Sequence, residues 1–140
     1  MAIRKYVNRL SGPILDRIDI QAQILPIRRS LLKQAGESEP SQAVIERVHT
    51  ARSRQAERLD QTPWVTNAEV PGNYIRKQLP TPAQTRILDT AVANGTLTAR
   101  GLDKVIRIAW TVADLAGADK PNEDYLSVAL TLRQGESFTQ

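Results

Sequence analysis

Residues 97–117, LTARGLDKVIRIAWTVADLAG, keep one apolar face between two helix-termination signals. Thr98 is an N-cap residue, with a hydroxyl that accepts from an orphan N–H of the first turn. Gly117 falls where a left-handed stop is needed. Leu102, Val105, Ile106, Ala109, Val112, Ala113 and Ala116 recur at helical spacing and make a single stripe. The opposite face carries Arg100, Asp103, Arg107, Thr111 and Asp114. Such a helix must be covered on one side, which points to an all-α bundle built around it. Arg100 and Arg107 share a side, about 10 Å apart along the axis. Asp103 precedes Arg107 by four residues, the favourable order for an ion pair.

Other helices are legible on both sides of this one. The first covers Ser41–Leu59, with Ser38 or Ser41 as its cap. Val44, Val48, Ala51, Gln55 and Leu59 form its narrow stripe, with Ile45 beside it. Arg47, Arg54 and Arg58 line another face, and Arg52 borders the stripe. Residues 60–72 hold Pro63 and Pro71 and read as loop. Residues 73–79 suit a short helix. Residues 81–94 suit a better one, with Thr81 as cap, Pro82 in the first turn and Gly95 as stop. Ala83, Ile87, Leu88 and Ala91 supply its inner side. The last helix spans residues 121–133, with Tyr125, Leu126, Val128, Ala129 and Leu132 inward.

The beginning of the chain reads differently. Ser11, Gly12 and Pro13 signal a turn. Ile18, Ile20, Ala22 and Ile24 then alternate with Asp19, Gln21 and Gln23, the pattern of a strand with one buried face. No second strand is evident, and even a hairpin is marginal in water. Either this strand pairs with something missing, or it is not a strand here. The first alternative implies a piece cut from a longer protein. Residues 27–40 read as a linker.

Composition narrows the function. Cysteine is absent, so no disulfide framework exists and a reducing, cytoplasmic setting is the default. Aromatic residues make up only 4%, so the core must be Leu, Ile, Val and Ala. No run approaches the ~18 apolar residues of a membrane span, so no membrane partner is expected. A net charge of +4 permits nucleic-acid contact without demanding it. His49 has no cysteine or second histidine with which to hold a metal. There is no GxxxxGK[ST], no GxGxxG and no Ser–His–Asp set. What remains is arginine: Arg9, Arg17, Arg47, Arg52, Arg54, Arg58, Arg100 and Arg107. These are either solvated faces with ion pairs to Glu46, Glu57, Asp103 and Asp114, or a set that recognises phosphate. Trp64 and Trp110 offer stacking surfaces, although Trp110 borders the core stripe and is expected to pack.

Three stretches, taken together and in order, decide between these readings. They are YVNRLSGPILDRIDI at residues 6–20, IERVHTARSRQ at 45–55 and LTARGLDKVIRIAWTVADL at 97–115. Their order and wording resemble the C-terminal part of the magnesium-chelatase-related AAA+ ATPases of the ComM/YifB type. The resemblance covers about residues 6–133. It implies that residues 1–37 are the end of the ATPase core and a linker, flexible in isolation. It implies a helical lid over residues 38–134 and a tail over 135–140. Arg17 would be a trans-acting arginine finger, and the strand at 18–24 the core's last strand. Arg100 would be the sensor-2 arginine that reaches the γ-phosphate, with Arg107 supporting it through Asp103. Trp110 stands where the family usually has arginine. ATP and Mg2+ would bind in the full-length protein but not to this fragment alone, because by this resemblance Walker A and Walker B would lie upstream. The implied partners are that upstream core, the neighbouring subunits of a hexameric ring, and DNA as the polymer moved. A metal-insertion motor and a free-standing helical nucleic-acid module are the alternatives.

Overall fold

Among the described residues, every other long helix leans on residues 99–115. The computed structural model describes residues 12–22, 39–77 and 85–135, and six helices lie among these described residues. They are α1 (Gly12–Leu15), α2 (Ser41–Leu59), α3 (Gly72–Lys77), α4 (Arg86–Ala93), α5 (Ala99–Leu115) and α6 (Glu123–Gln134). Helix α5 packs against α2, α3, α4 and α6, so it is the axis of an all-helical bundle. No strand occurs among the described residues.

The two ends of α5 are set by the residues expected to set them. Thr98 Oγ1 accepts from the Gly101 N–H at 3.0 Å, and Gly117 takes the left-handed conformation at φ 71°. Val105, Ala109 and Ala113 have no exposure, and Ile106 is buried beside them. Leu102 and Val112 are half-buried at the margins, while Ala116 lies outside, past the last turn. The buried sector is wider than the apolar stripe, for it also takes in Lys104, Ile108 and Asp114. A helix covered from several sides cannot keep a full polar face in solvent.

Helix α2 begins and ends where its pattern does, but its cap differs. Pro40 occupies the N-cap position and no side chain caps the helix; Ser38 lies outside the described residues. Ala51, Gln55 and Leu59 bury the C-terminal half of the stripe against α5. Val44, Ile45 and Val48, in the first half, are exposed. Helix α3 starts at Gly72 and buries Ile75. Helix α4 buries Leu88 and Ala91 and stops at Gly95, φ 70°; Thr81, Pro82 and Ala83 lie outside the described residues. Helix α6 starts at Glu123, because Asn122 is extended and its side chain accepts from the Tyr125 N–H. Leu126 and Ala129 are its deepest inward residues.

Residues 12–22 form a short arm against α5 and α6. The expected turn at Gly12 and Pro13 is one turn of helix, closed by the Asp16 N–H on the Gly12 carbonyl at 2.9 Å. Proline suits the first turn of a helix, where its missing N–H costs nothing. The strand expected from residue 18 onward is not formed over residues 18–22. With no neighbouring strand to complete a ladder, Ile18 and Ile20 stay exposed. The arm's backbone bonds instead to the helices, and the Gln21 N–H donates to the Leu132 carbonyl at 2.7 Å. Ile24 lies outside the described residues.

Candidate functional site

The arm meets the start of α5 and the end of α6 around one carboxylate. Asp16 Oδ1 accepts from Arg133 Nη2 at 2.9 Å and from Thr98 Oγ1 at 3.1 Å. Its Oδ2 lies 3.6 Å from Arg100 Nη1. Thr98 thus has two tasks: its oxygen caps α5 and its hydroxyl hydrogen holds the residue before Arg17. A cleft of about 630 Å3 opens here, lined by Gly12, Asp16, Thr98, Gly101 and Arg133 among others.

Arg17 follows directly. Both carboxylates that flank it in sequence are engaged elsewhere, Asp16 by Arg133 and Asp19 by Lys104. Its own side chain is exposed and makes no ion pair among the described residues. Its backbone is held instead. Lys104 Nζ donates to the Arg17 carbonyl at 2.5 Å and to Asp19 Oδ1. Arg133 Nη1 donates to the carbonyls of Leu15 at 3.1 Å and Ile18 at 2.6 Å. Its Nη2 donates to the Asp16 carbonyl at 3.1 Å.

Arg100 is exposed, with 62% of its side chain open to solvent. It sits in the first turn of α5, and its nearest anion is Asp16. Arg107 is placed differently. It is half-buried, and its Nε donates to the Val70 carbonyl at 3.0 Å. The expected pair with Asp103 is not made, because Asp103 pairs with Arg76 of α3 at 2.9 Å. The reason is the approach of α3: a Cβ on Gly72 would lie 1.9 Å from Asp103 Oδ2, so the carboxylate occupies the space a side chain would need. Arg107 instead ties α5 to the loop before α3.

The arginine row of α2 is spent on ion pairs, as the plainer of the two readings holds; Arg58 takes the expected Asp114, while Arg47 and Arg54 take Glu39 and Asp119 instead of the expected partners. Arg47 pairs with Glu39 at 2.5 Å and holds that carboxyl below its ordinary range. Arg54 pairs with Asp119 at 2.9 Å. Arg58 makes a two-pronged bond to Asp114, at 2.5 and 2.7 Å, and a third to Asn67 at 2.9 Å. Its guanidinium also lies over Trp110, 4.3 Å from the ring centroid. Trp110 is 1% exposed, so it is a core residue, as its place at the border of the stripe suggests. His49 is exposed on α2. Among the described residues no helix is long and apolar enough to cross a membrane.

Sequence reasoning passed over Lys104 and Arg133, the two buried cations of this junction. A signal was present for Arg133. It follows Leu126 by seven residues and Ala129 by four, on the inward line of α6. Lys104 stands four residues after Arg100 and four before Ile108, on a line that turned out to be covered.

Comparison with known proteins accounts for most of the chain. Residues 38–133 match the family described as magnesium chelatase, subunit ChlI C-terminal, and residues 1–32 match magnesium chelatase, subunit ChlI. An uncharacterised protein of Mycobacterium tuberculosis is 39% identical over 94% of this chain and 26% of its own length. Uncharacterised protein YifB of Escherichia coli is 31% identical over 92% of this chain and 25% of its own. Competence protein ComM of Haemophilus influenzae is 29% identical over 94% and 25%. The chain therefore spans about a quarter of the length of these relatives. With three motifs in order, a helical bundle and a family match over residues 38–133, the chain belongs to the magnesium chelatase ChlI family and represents its C-terminal region.

Proposed function

We propose that this region is the lid of an AAA+ ATPase whose ring moves DNA, and that it brings two arginines to ATP. Arg17 is the finger offered to the nucleotide of a neighbouring subunit. Arg100 is the sensor that reaches the γ-phosphate, and Arg107 supports it by fixing α5 to the Val70 loop. Residues 1–37 belong to the core and linker, 38–134 to the lid and 135–140 to the tail.

The observation that carries this reading is the contrast among the arginines. Arg47, Arg54 and Arg58 are consumed by carboxylates. Arg17 and Arg100 point outward at one junction, one with no ion pair among the described residues and the other 62% exposed. Open guanidiniums suit a polyphosphate. Phosphoryl transfer asks the protein chiefly to position groups and neutralise charge, which is what such residues supply. In the full-length protein ATP and Mg2+ would be held by an upstream core, with Arg17 and Arg100 completing the charge at the transferred group. That the Haemophilus influenzae relative is a competence protein supports DNA as the substrate. The family description favours the runner-up, a motor for metal insertion.

The test is subunit mixing in the full-length protein. Arg17→Ala should bind ATP and fold, yet lose roughly 10³–10⁵ in hydrolysis rate, the worth of a trans finger in well-studied cases. Mixing it with a Walker A variant that cannot bind ATP should restore activity, because an intact pocket then meets an intact Arg17. Co-assembly without restored activity would overturn the assignment. DNA-stimulated turnover separates the DNA motor from the metal-insertion motor.

A further inference from the structure

We propose that Lys104 and Arg133 are positioning residues for Arg17, so that the finger moves with α5 and α6 rather than with its own arm. The inference rests on the reading of Arg17 given above and goes beyond it, to the device that aims the finger.

Four successive carbonyls, those of Leu15, Asp16, Arg17 and Ile18, accept from these two side chains. Leu15 ends the short helix, and its carbonyl also takes the Ile18 N–H at 3.2 Å; the other three belong to residues just past the helix end. A water shell or a following strand would satisfy them in an ordinary arm. Here Lys104 and Arg133 do so with side chains only 10% exposed. Burying a cation is costly unless it is paired and fully hydrogen-bonded. Both cations are paired and bonded to backbone carbonyls as well, each holding a carboxylate flanking Arg17, Asp19 for Lys104 and Asp16 for Arg133. The clamp therefore grips the backbone on both sides of Arg17 and takes both flanking anions away from its guanidinium. What it leaves uncommitted is the Arg17 side chain.

A second consequence concerns movement. Lys104 lies one turn beyond Arg100 on α5. A shift of α5 that brings Arg100 toward or away from a phosphate also displaces the Arg17 carbonyl. The lid's position is thereby written into the finger's position, a coupling carried by direct hydrogen bonds rather than by a chain of packed residues.

The experiment uses the full-length protein and the variants Lys104→Met, Arg133→Met, Lys104→Arg and Arg133→Lys, with Arg17→Ala as reference. The Met variants should fall at least tenfold in kcat with KM for ATP unchanged. The charge-conserving variants should recover most of that loss. When mixed with a Walker A variant, the Met variants should regain activity only as Arg17→Ala does, because their own pockets work and their fingers do not. Wild-type kcat in the Met variants, with Arg17→Ala inactive, would overturn the clamp and leave the finger standing. Wild-type kcat in Arg17→Ala would overturn the finger itself. Loss of pocket function as well, seen as a raised KM and no rescue on mixing, would mark a merely structural staple and also overturn the proposal. Should Lys104→Met fail to fold, Asp19→Asn loosens the same grip at a carboxylate 55% exposed; a kcat equal to wild type there, with Arg133→Met also unaffected, overturns the clamp.

Discussion

Arg58 covers Trp110: its guanidinium carbon sits 4.3 Å from the ring centroid while its two terminal nitrogens hold Asp114. One side chain thus joins α2 to α5 through an aromatic face and a carboxylate at once. Asp114 has 2% of its side chain exposed, and Asn67 donates to it at 3.3 Å. The stacked geometry needs a flat cation, which arginine supplies and lysine does not.

Removing that cation should be costly. Arg58→Met leaves Asp114 buried with only Asn67 as a donor, and the loss is expected to be about 3–5 kcal/mol. Adding Asp114→Leu should restore most of it, because the unpaired charge is gone. Urea denaturation of the two variants checks both statements. A loss under about 1 kcal/mol in the single variant would show that the pair is solvated.

Gly72 is required by contact rather than by backbone freedom. A Cβ there would lie 1.9 Å from Asp103 Oδ2, so Gly72→Ala must push the carboxylate away from Arg76. Alanine's better helix propensity works the other way, by about 1 kcal/mol. Overpacking is expected to win, for a net loss of about 1 kcal/mol. In an Asp103→Ala background the same change should be neutral or stabilising. Thermal melts of the four-way cycle measure the coupling.

Glu69 accepts from the backbone N–H groups of Val65 and Thr66, at 2.8 and 3.3 Å, and these bonds hold its carboxyl below the ordinary range. Its folded value is lower than its unfolded one. Its contribution to stability is therefore present above the unfolded value, about 4.3, and lost as pH falls through the lower folded value. An NMR titration should show the Glu69 carboxyl protonating below the exposed glutamates. Glu69→Gln should remove that part of the acid sensitivity while keeping an acceptor for the loop.

Arg100→Ala in the full-length protein is expected to reduce ATP turnover by about tenfold or more, equivalent to about 1.4 kcal/mol of barrier. The side chain is 62% exposed and 3.6 Å from its nearest anion, so stability should change by no more than about 0.5 kcal/mol. Turnover and urea denaturation together check the assignment. Wild-type turnover, or an unfolded variant, would contradict it.

The sequence by itself determined where the long helices lie and, for α5, where the helix begins and ends. Thr98 and Gly117 bound α5 because a cap and a left-handed stop are local chemistry, decided within a few residues of the chain. The α2 span, Ser41–Leu59, and the core placing of Trp110 follow from periodicity for the same reason. Partner choice was decided only by the tertiary structure. Asp103 stands four residues before Arg107 yet pairs with Arg76, because Gly72 lets α3 approach the carboxylate from another element. The alternation from Ile18 onward reads as a strand, but a strand needs a neighbour, and here the backbone carbonyls found Arg133 and Lys104 instead. Those two cations lie more than 80 residues from the arm they hold. No local pattern encodes a hydrogen bond across that separation, since its geometry exists only once α5 and α6 have packed.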